Sequence, residues 1–396
     1  MDESAIYKQI GLNTRKKLKV VSKFKNNAFS FKSTECLTAQ ELAYMSVPIN
    51  NSIEYTTRNT FQPDILLPII DDLNQTKDKL KNLSNQDKVD VKIINEMHSM
   101  AYKNCNLKNR ASAKLYNMNY IVNNMISNEF KRKYDDGILR IGDLCNIPGG
   151  FSDVCKQLAV RYRCKTHCYG ISLIVNENDT IYNDLFDDNA FFSMYFLYGD
   201  ITKNDIRRKY IQNSNLLDFV LADGGFSVKN EENLQEHKSK LLYLSQIILG
   251  LSVLKESGFF LCKFFDTFLI FSVDLIRILS CCFEEIIMVK PHSSKPANSE
   301  KYIICKNYNA NRGKMYIKHL KHVAKFIDNN YTADIISLYV NNNNNDVKFT
   351  RWMLDVLLKF MQQQKMAIVN YYKNKNDTYD YICYQIMFWI SYCDRF

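Results

Sequence analysis

No stretch of this sequence stays apolar for long enough to span a bilayer. The longest apolar region, residues 241–283, is broken by Lys255, Glu256, Lys263, Asp266 and Asp274, whereas a spanning helix needs about 20 apolar residues in a row. The amino-terminal MDESAIYKQIGLNTRKK lacks the apolar core of a secretory leader. The 12 cysteines follow no regular spacing, so a disulfide framework is not written into the chain. Cys164, His167 and Cys168 stand close together, but no second ligand pair follows at zinc-finger spacing, and no metal is expected. A dinucleotide fingerprint, G-x-G-x-x-G, is missing as well, which counts against a nucleotide-dependent dehydrogenase. These absences predict an intracellular protein in a reducing compartment, nucleus or cytoplasm, with no membrane partner.

What is present allows a large core. Of 396 residues, 46% are hydrophobic and 13% aromatic, enough for one large domain with appendages or for two domains. Lys and Arg number 52 against 42 Asp and Glu, a formal net charge of +10, and such a balance favours a polyanionic partner. Residues 1–90 form a polar lead-in whose basic cluster, Arg15, Lys16, Lys17, Lys19, Lys23 and Lys25, suits RNA contact, nuclear import or a merely solvated arm. Within it, NQTKDKLKNLSNQDK (74–88) is an exposed helix or a linker.

Residues 91–135 have a helical pattern, and from there apolar runs and helices alternate. The runs are GILRIGDLC, HCYGISLIV, FFSMYFLYGD, LLDFVLAD, GFFLCKFF, EEIIMVK and KYIICK; helices begin near Phe151, Asn233 and Phe268. This alternation predicts an α/β fold with a mostly parallel seven-stranded sheet and helices on both faces. Only the short loop PHSSKPANSE separates the last two runs, so they should form an antiparallel hairpin at one edge. After residue 306 the chain turns helical again, with the run Asn341 to Asn345 as a surface loop. The predicted division is a lead-in over 1–90, an alternating α/β domain over 91–310 and a helical region over 311–396. The stripe Leu241, Leu244, Ile248 and Leu251 is core.

Two strand ends carry the chemistry. The first run ends in DLCNIPGGFSD (143–153): Asp143 closes the strand, Pro148, Gly149 and Gly150 make a turn bare of large side chains, and a helix opens at Phe151. Backbone N–H groups and a positive helix end then face the crevice, a fit for a carboxylate, phosphate or ribose. The fourth run ends in LADGG, placing Asp223 where open α/β sheets hold ligands. Around these lie Lys114 in NRASAK, Lys263 in GFFLCKFFD and Glu300 in PANSEKY. Each alone reads as a cap, a solvated lysine or a surface acid.

Together they resemble the Lys-Asp-Lys-Glu tetrad of the FtsJ-like ribose 2′-O-methyltransferases. NRASAKLYNMNYI, DLCNIPGGFSD, YGDIT, DFVLADGGFSVKNEENLQE, GFFLCKFFDTFLIFSV, CCFEEIIMVKPHSSKPANSEKYIICK and KFTRWMLDVL narrow the resemblance to the cap-specific mRNA (nucleoside-2′-O-)methyltransferase 1 family. It implies a Rossmann-like class I S-adenosylmethionine-dependent fold with helical extensions, methylating the first transcribed nucleotide of capped RNA. It also implies Lys114, Asp223, Lys263 and Glu300 as catalytic residues. S-adenosylmethionine falls to Asn109, Asp143, Cys145, Pro148, Gly149, Gly150, Phe151, Asp200, Ile201 and Asp223, and the substrate to Glu232, Asn233, Lys295 and Asn298. Capped mRNA is the implied partner, with transcription or other capping enzymes beyond it, in a cell or in a host carrying a viral enzyme. Asn146 and Ile147 are bulkier than the family's residues before the Pro-Gly-Gly turn, and no glycine-rich patch or WW-like module is expected.

The expected chemistry follows from the donor. A sulfonium methyl is electrophilic, and bringing it into line with the ribose hydroxyl supplies roughly 7 to 11 kcal/mol in well-oriented cases. An ordinary lysine, with a pKa of about 10.4, is charged and cannot take the hydroxyl proton. A lysine beside another cation, partly desolvated, has a lowered pKa. Lys263 is therefore expected to activate the hydroxyl, Lys114 and Glu300 to orient and tune it, and Asp223 to fix it. The rivals are a ribosomal-RNA methyltransferase of the same fold and a non-catalytic RNA-binding subunit.

Overall fold

The computed structural model describes residues 28–32, 45–48, 54–81, 107–174, 180–187, 189–214, 216–225, 228, 231–329, 333–339 and 347–373. The basic cluster at 15–25, the asparagine run and the apolar segment YICYQIMFWISYC lie outside these residues. The chain opens with strands β1 (Ala28–Lys32) and β2 (Met45–Pro48) and helices α1 (Pro63–Lys81), α2 (Arg110–Ile121) and α3 (Met125–Glu129). The alternating part runs β3 (Leu139–Leu144), α4 (Gly150–Tyr162), β4 (Thr166–Ser172), β5 (Phe192–Tyr198), α5 (Asn204–Asn213), β6 (Leu217–Ala222), α6 (Gln235–Val253), β7 (Leu254–Phe264), α7 (Ile270–Cys282), β8 (Phe283–Val289) and β9 (Lys301–Tyr308). Helix α8 (Ala310–Asn329), strand β10 (Ala333–Ser337) and helix α9 (Val347–Lys373) complete it.

Strands such as β3 and β6 are buried at nearly every position because helices cover both faces of the sheet, which removes the alternation of a half-exposed strand. On one face α2, α3 and α4 pack over Leu139, Ile141, Phe219 and Leu261. On the other, α1 and α5 to α9 share a core with Val220, Phe260 and Ile303. Of the predicted stripe, Leu244, Ile248 and Leu251 are buried there and Leu241 packs against them.

The sheet has eight strands, not seven, in the order β1-β8-β9-β7-β6-β3-β4-β5. The additional strand comes from the polar lead-in: β1 pairs antiparallel with β8, Ala28 opposite Val289 through Lys32 opposite Glu285. Its apolar side is pinned by α9, with Phe29 edge-on to Phe360 at 5.3 Å and Phe31 edge-on to Phe349 at 5.5 Å. The predicted hairpin forms between β8 and β9, but the reversed strand β9 runs between β7 and β8 and β1 takes the edge. Beside the main sheet, β2 and β10 make a two-stranded one.

Topology places the site. From β3 the chain builds β4 and β5 on one side, then returns to lay β6 and β7 on the other. The carboxyl ends of β3 and β6 therefore flank a switch point, where the loops diverge and leave a crevice. There the Asp223 N–H donates to the Leu144 carbonyl at 3.3 Å, and a Cβ on Gly224 would come within 3.0 Å of Cys145 Sγ.

Candidate active site

Four charged side chains from four parts of the sequence meet at this crevice. Lys114, from the middle of α2, puts its Nζ 2.7 Å from Glu300 Oε2. Lys263, next to last in β7, puts its Nζ 2.9 Å from Asp223 Oδ1 and 3.6 Å from Glu300 Oε2. The Lys263 ammonium also donates to the Asp223 carbonyl at 3.1 Å. Lys114, Lys263 and Glu300 are buried and Asp223 is half-buried. Two cations and two anions thus neutralise one another out of water, an arrangement that tolerates the loss of no single member.

The pairing bears on the charge of Lys263, in the direction opposite to the lowered pKa expected from the sequence. Burial pulls the ammonium's pKa down, as expected, but the carboxylates of Asp223 and Glu300 outweigh burial and hold it above the ordinary lysine value. Lys114 and Lys263 approach the same oxygen of Glu300, so one carboxylate is shared by the two cations. Burial would raise the Glu300 carboxyl, yet Lys114, Lys263 and the Ser294 hydroxyl, 2.6 Å from Oε1, bring it far below the usual carboxylate range. These surroundings favour the ammonium form of Lys263.

Several members of the site were not singled out from the sequence. Tyr302 lies opposite Lys263 in the β7–β9 register, so both side chains leave the same face, and its hydroxyl donates to Asp223 Oδ1 at 2.6 Å. Asn117, one turn beyond Lys114, accepts from the N–H groups of His292 and Ser293. Burial pushes the Lys295 ammonium down, and Arg110, which opens α2, adds to the fall as a second cation nearby; burial and the Asp223 carboxylate hold the Tyr302 hydroxyl well above its ordinary value. Tyr302 stands inside the quoted PANSEKY motif; its role depends on cross-strand register, which no single segment displays.

The loop after β3 forms as expected. Gly149 has φ 108°, a conformation natural to glycine, and caps α4. Gly150 is bare because the Asn109 side chain rests on it: an added Cβ would strike Asn109 Oδ1 and lie 2.9 Å from Ala111 Cβ. Asn109 in turn caps α2 by accepting from Ser112 N at 2.9 Å and donates to the Tyr182 hydroxyl at 2.9 Å. Pro148 follows a cis peptide bond, and Cys145 has φ 60°, a left-handed conformation that non-glycine residues adopt at a cost. Asp143 uses Oδ2 to accept from Asn146 and from Ser152 Oγ at 2.7 Å, while Oδ1 is buried without a partner; burial pushes its carboxyl up to about 7.

The remaining predicted residues are spread around this centre. Asp200, at the end of β5, accepts from Thr202 N at 2.9 Å and Thr202 Oγ1 at 2.7 Å. Ile201 and Phe151 have buried side chains, and the Phe151 ring lies 6.3 Å from that of Tyr302. Asn298 Oδ1 accepts from Lys290 Nζ at 2.8 Å, close to Glu300, and Lys295 is half-buried nearby. Glu232 is exposed and Asn233 half-buried at the entry to α6, outside the ion-pair cluster. His167 and Cys168 are successive in β4 and so point to opposite faces, and among the described residues no group of His, Cys, Asp or Glu could hold a metal. A cleft of about 370 Å³, lined by Glu129, Arg132, Asp218 and Lys255, opens at the opposite end of the sheet, where β6 and β7 begin. It is remote from the tetrad. No helix among the described residues is long and apolar enough to cross a membrane.

Comparisons with known proteins identify the family. The family model of FtsJ-like methyltransferases matches residues 107–308, the segment that contains the whole cluster. Over 219 residues the chain is 38% identical to the cap-specific mRNA (nucleoside-2′-O-)-methyltransferase 1 of Mus musculus, covering 50% of this chain and 26% of the relative. The counterpart of Drosophila melanogaster is 34% identical over 221 residues, with the same coverage, 50% and 26%. The chain thus spans about a quarter of the length of these curated relatives. A solved structure of a Plasmodium falciparum protein described as a ribosomal RNA methyltransferase is 20% identical with a TM-score of 0.38, covering 51% of this chain and 98% of that one.

Proposed function

Since the chain belongs to the FtsJ-like methyltransferase family through residues 107–308, we propose that it methylates the ribose 2′-hydroxyl of the first transcribed nucleotide of capped mRNA, with Lys114, Asp223, Lys263 and Glu300 as its tetrad. The observation that carries the reading is the convergence of these two lysines and two acids at the carboxyl ends of parallel strands, in the segment shared with relatives named as cap-specific. Such a substrate is made and processed inside the cell.

The residues at the crevice fit S-adenosylmethionine as the donor. Asp143 keeps a buried, unpartnered oxygen at the end of β3. A Cβ on Gly225 would lie 3.2 Å from Lys263 Nζ, in space the tetrad needs open. Asn109, Asp143, Cys145, Pro148, Gly149, Gly150, Asp200 and Asp223 would hold the donor, with Phe151 and Ile201 offering backbone groups. When bound, it supplies an electrophilic methyl on a sulfonium.

The rest of the work falls to the chain. The charged Lys263 points a donor at the incoming hydroxyl oxygen and turns its lone pair toward the crevice. With the oxygen so held, its proton can leave to solvent water as the ether bond forms, so prior removal by a neutral lysine is not required; orientation is the larger contribution. Asp223 and Glu300 keep Lys263 charged and in place, and Lys114 keeps Glu300 ionised. Glu232, Asn233, Lys295 and Asn298 are assigned to the capped RNA. An exposed acid such as Glu232 suits the N–H edge of a cationic base, and Lys295 beside Arg110 suits phosphate.

The test is transfer of a labelled methyl group to a short RNA bearing a 7-methylguanosine cap, with an uncapped copy and Lys263→Ala protein alongside. Transfer to the capped RNA alone, lost in the variant, is expected. Equal transfer to both RNAs would replace the cap-specific reading with a general RNA 2′-O-methyltransferase, and RNA binding without transfer would indicate a non-catalytic subunit.

A further inference from the structure

The loop from residue 291 to 300 brings Lys295, Asn298 and Glu300 to the site, and it is fastened at several points. Asn117 receives the N–H groups of His292 and Ser293. Gln364 of α9 donates to the Ala297 carbonyl at 3.0 Å. Beneath the loop lies Lys290, which ends the β8 run and is buried. Its Nζ donates to the Asn298 carbonyl at 2.7 Å, to Asn298 Oδ1 at 2.8 Å and to the Glu300 carbonyl at 3.0 Å. An ammonium has three protons to donate, and these three contacts all go to the two loop residues assigned to substrate and tetrad.

We propose that Lys290 is a positioning residue of this site, its ammonium clasping the 291–300 loop so that Asn298 and Glu300 are presented together to the RNA. The inference rests on the reading of the site as a capped-RNA methyltransferase. Lys290 does not reach the reacting atoms; it acts through Asn298 and Glu300. Several charges surround it: Glu300 and Lys301 at the start of β9, Lys114 from α2 and Asp266 beyond the end of β7. Burial pushes the Lys290 ammonium down, Glu300 resists, Lys301 and Lys114 add to the fall and Asp266 opposes it, leaving it at about 7. The neutral amine has one proton fewer to donate, so the clasp weakens as the pH rises through this value and the loop is less firmly held.

The experiment measures KM and kcat for capped RNA from pH 6 to 9 in wild type, Lys290→Met and Lys301→Met, with S-adenosylmethionine affinity by calorimetry. In wild type KM should rise across the alkaline half of the range. Lys290→Met keeps the stem and removes the donors; its KM at pH 6 should be about tenfold higher, the loss expected for hydrogen bonds from a charged donor, and flat with pH, with donor affinity within twofold of wild type. Lys301 is also pushed down by burial, to about 8, and Lys301→Met, which removes a cation that pushes Lys290 down, should keep the alkaline rise but move it to higher pH. Should Lys290→Met fail to fold, Asn298→Asp sets a carboxylate against the ammonium and should move the rise to higher pH. A wild-type KM and pH profile in Lys290→Met, or an unmoved profile in Asn298→Asp, would overturn the proposal while leaving the methyltransferase reading intact. A wild-type protein unable to methylate any capped RNA would overturn that reading and this inference with it.

Discussion

The Tyr302 hydroxyl donates to Asp223 Oδ1 at 2.6 Å, on the same oxygen that lies 2.9 Å from the Lys263 ammonium. One carboxylate oxygen thereby fixes both a phenol and a lysine that face each other across β7 and β9. Tyr302→Phe removes the donor and leaves the ring. A hydrogen bond to a charged group contributes about 1.5–3 kcal/mol to stability, so the melting temperature should fall by a few degrees, and with Asp223 less firmly held kcat should fall about tenfold or more. Unchanged kcat would remove Tyr302 from the site's machinery.

Lys263 held above its ordinary pKa makes a prediction about pH. The kcat/KM profile should contain no inflection near neutrality arising from Lys263, and Lys263→Ala should lower kcat by about 10²–10⁴-fold, the range of a lost acid–base or orienting group. A neutral-pH inflection that disappears in Lys263→Arg would restore the lowered-pKa base expected from the sequence.

Glu300 links the two lysines, and its loss should be felt in stability. Glu300→Gln leaves the buried ammoniums of Lys114 and Lys263 short of a counter-charge, a change that costs about 3–5 kcal/mol. Because the folded Glu300 is depressed, its contribution is complete above the unfolded value of about 4.3 and is lost as pH falls through the lower folded one. Urea unfolding should show the full gap between variant and wild type at pH 7, narrowing only in strong acid. An equal gap at every pH would assign the loss to packing.

Gly150 and Asn109 join the cofactor loop to the start of α2. Gly150→Ala drives a methyl into the Asn109 amide, displacing the cap on Ser112. Loss of a cap costs about 0.5–2 kcal/mol, and S-adenosylmethionine affinity should drop with the melting temperature. A destabilised variant with unchanged donor affinity would make Asn109 purely structural.

The β1 edge depends on two aromatic side chains. Phe31→Ala removes contacts with Phe349 and Trp352 at 5.5 and 5.2 Å. Phe31 is only half-buried, so the loss should be about half of the 3–5 kcal/mol typical of core phenylalanines. The check is increased hydrogen exchange at β8, whose outer edge β1 covers; β8 amides protected as in wild type would show the edge to be held by other contacts.

Much of this was legible in the sequence because it is local. Runs such as DFVLAD and RIGDLC carry the composition of strands buried on both faces, and residues between them carry helical spacing; burial requires that pattern wherever the segment sits. The strand-end Asp223 and the Pro148, Gly149, Gly150 turn were visible for the same reason. Strand β1 was missed because AFSFK offers only Phe29 and Phe31, and their value comes from α9, more than three hundred residues away.

The sequence by itself determined which residues carry charge, which segments must be buried and that an acid ends the fourth predicted run. Tertiary structure alone decided that Lys263 faces Asp223 and Glu300 while Lys114 is spent on Glu300, that Tyr302 shares Asp223, and that Lys290 lies under the loop. The reason is physical: a propensity belongs to a few neighbouring residues, but the charge state of a buried group is the sum of burial and the distances to every charge around it. Those distances exist only once α2, β6, β7 and β9 have come together.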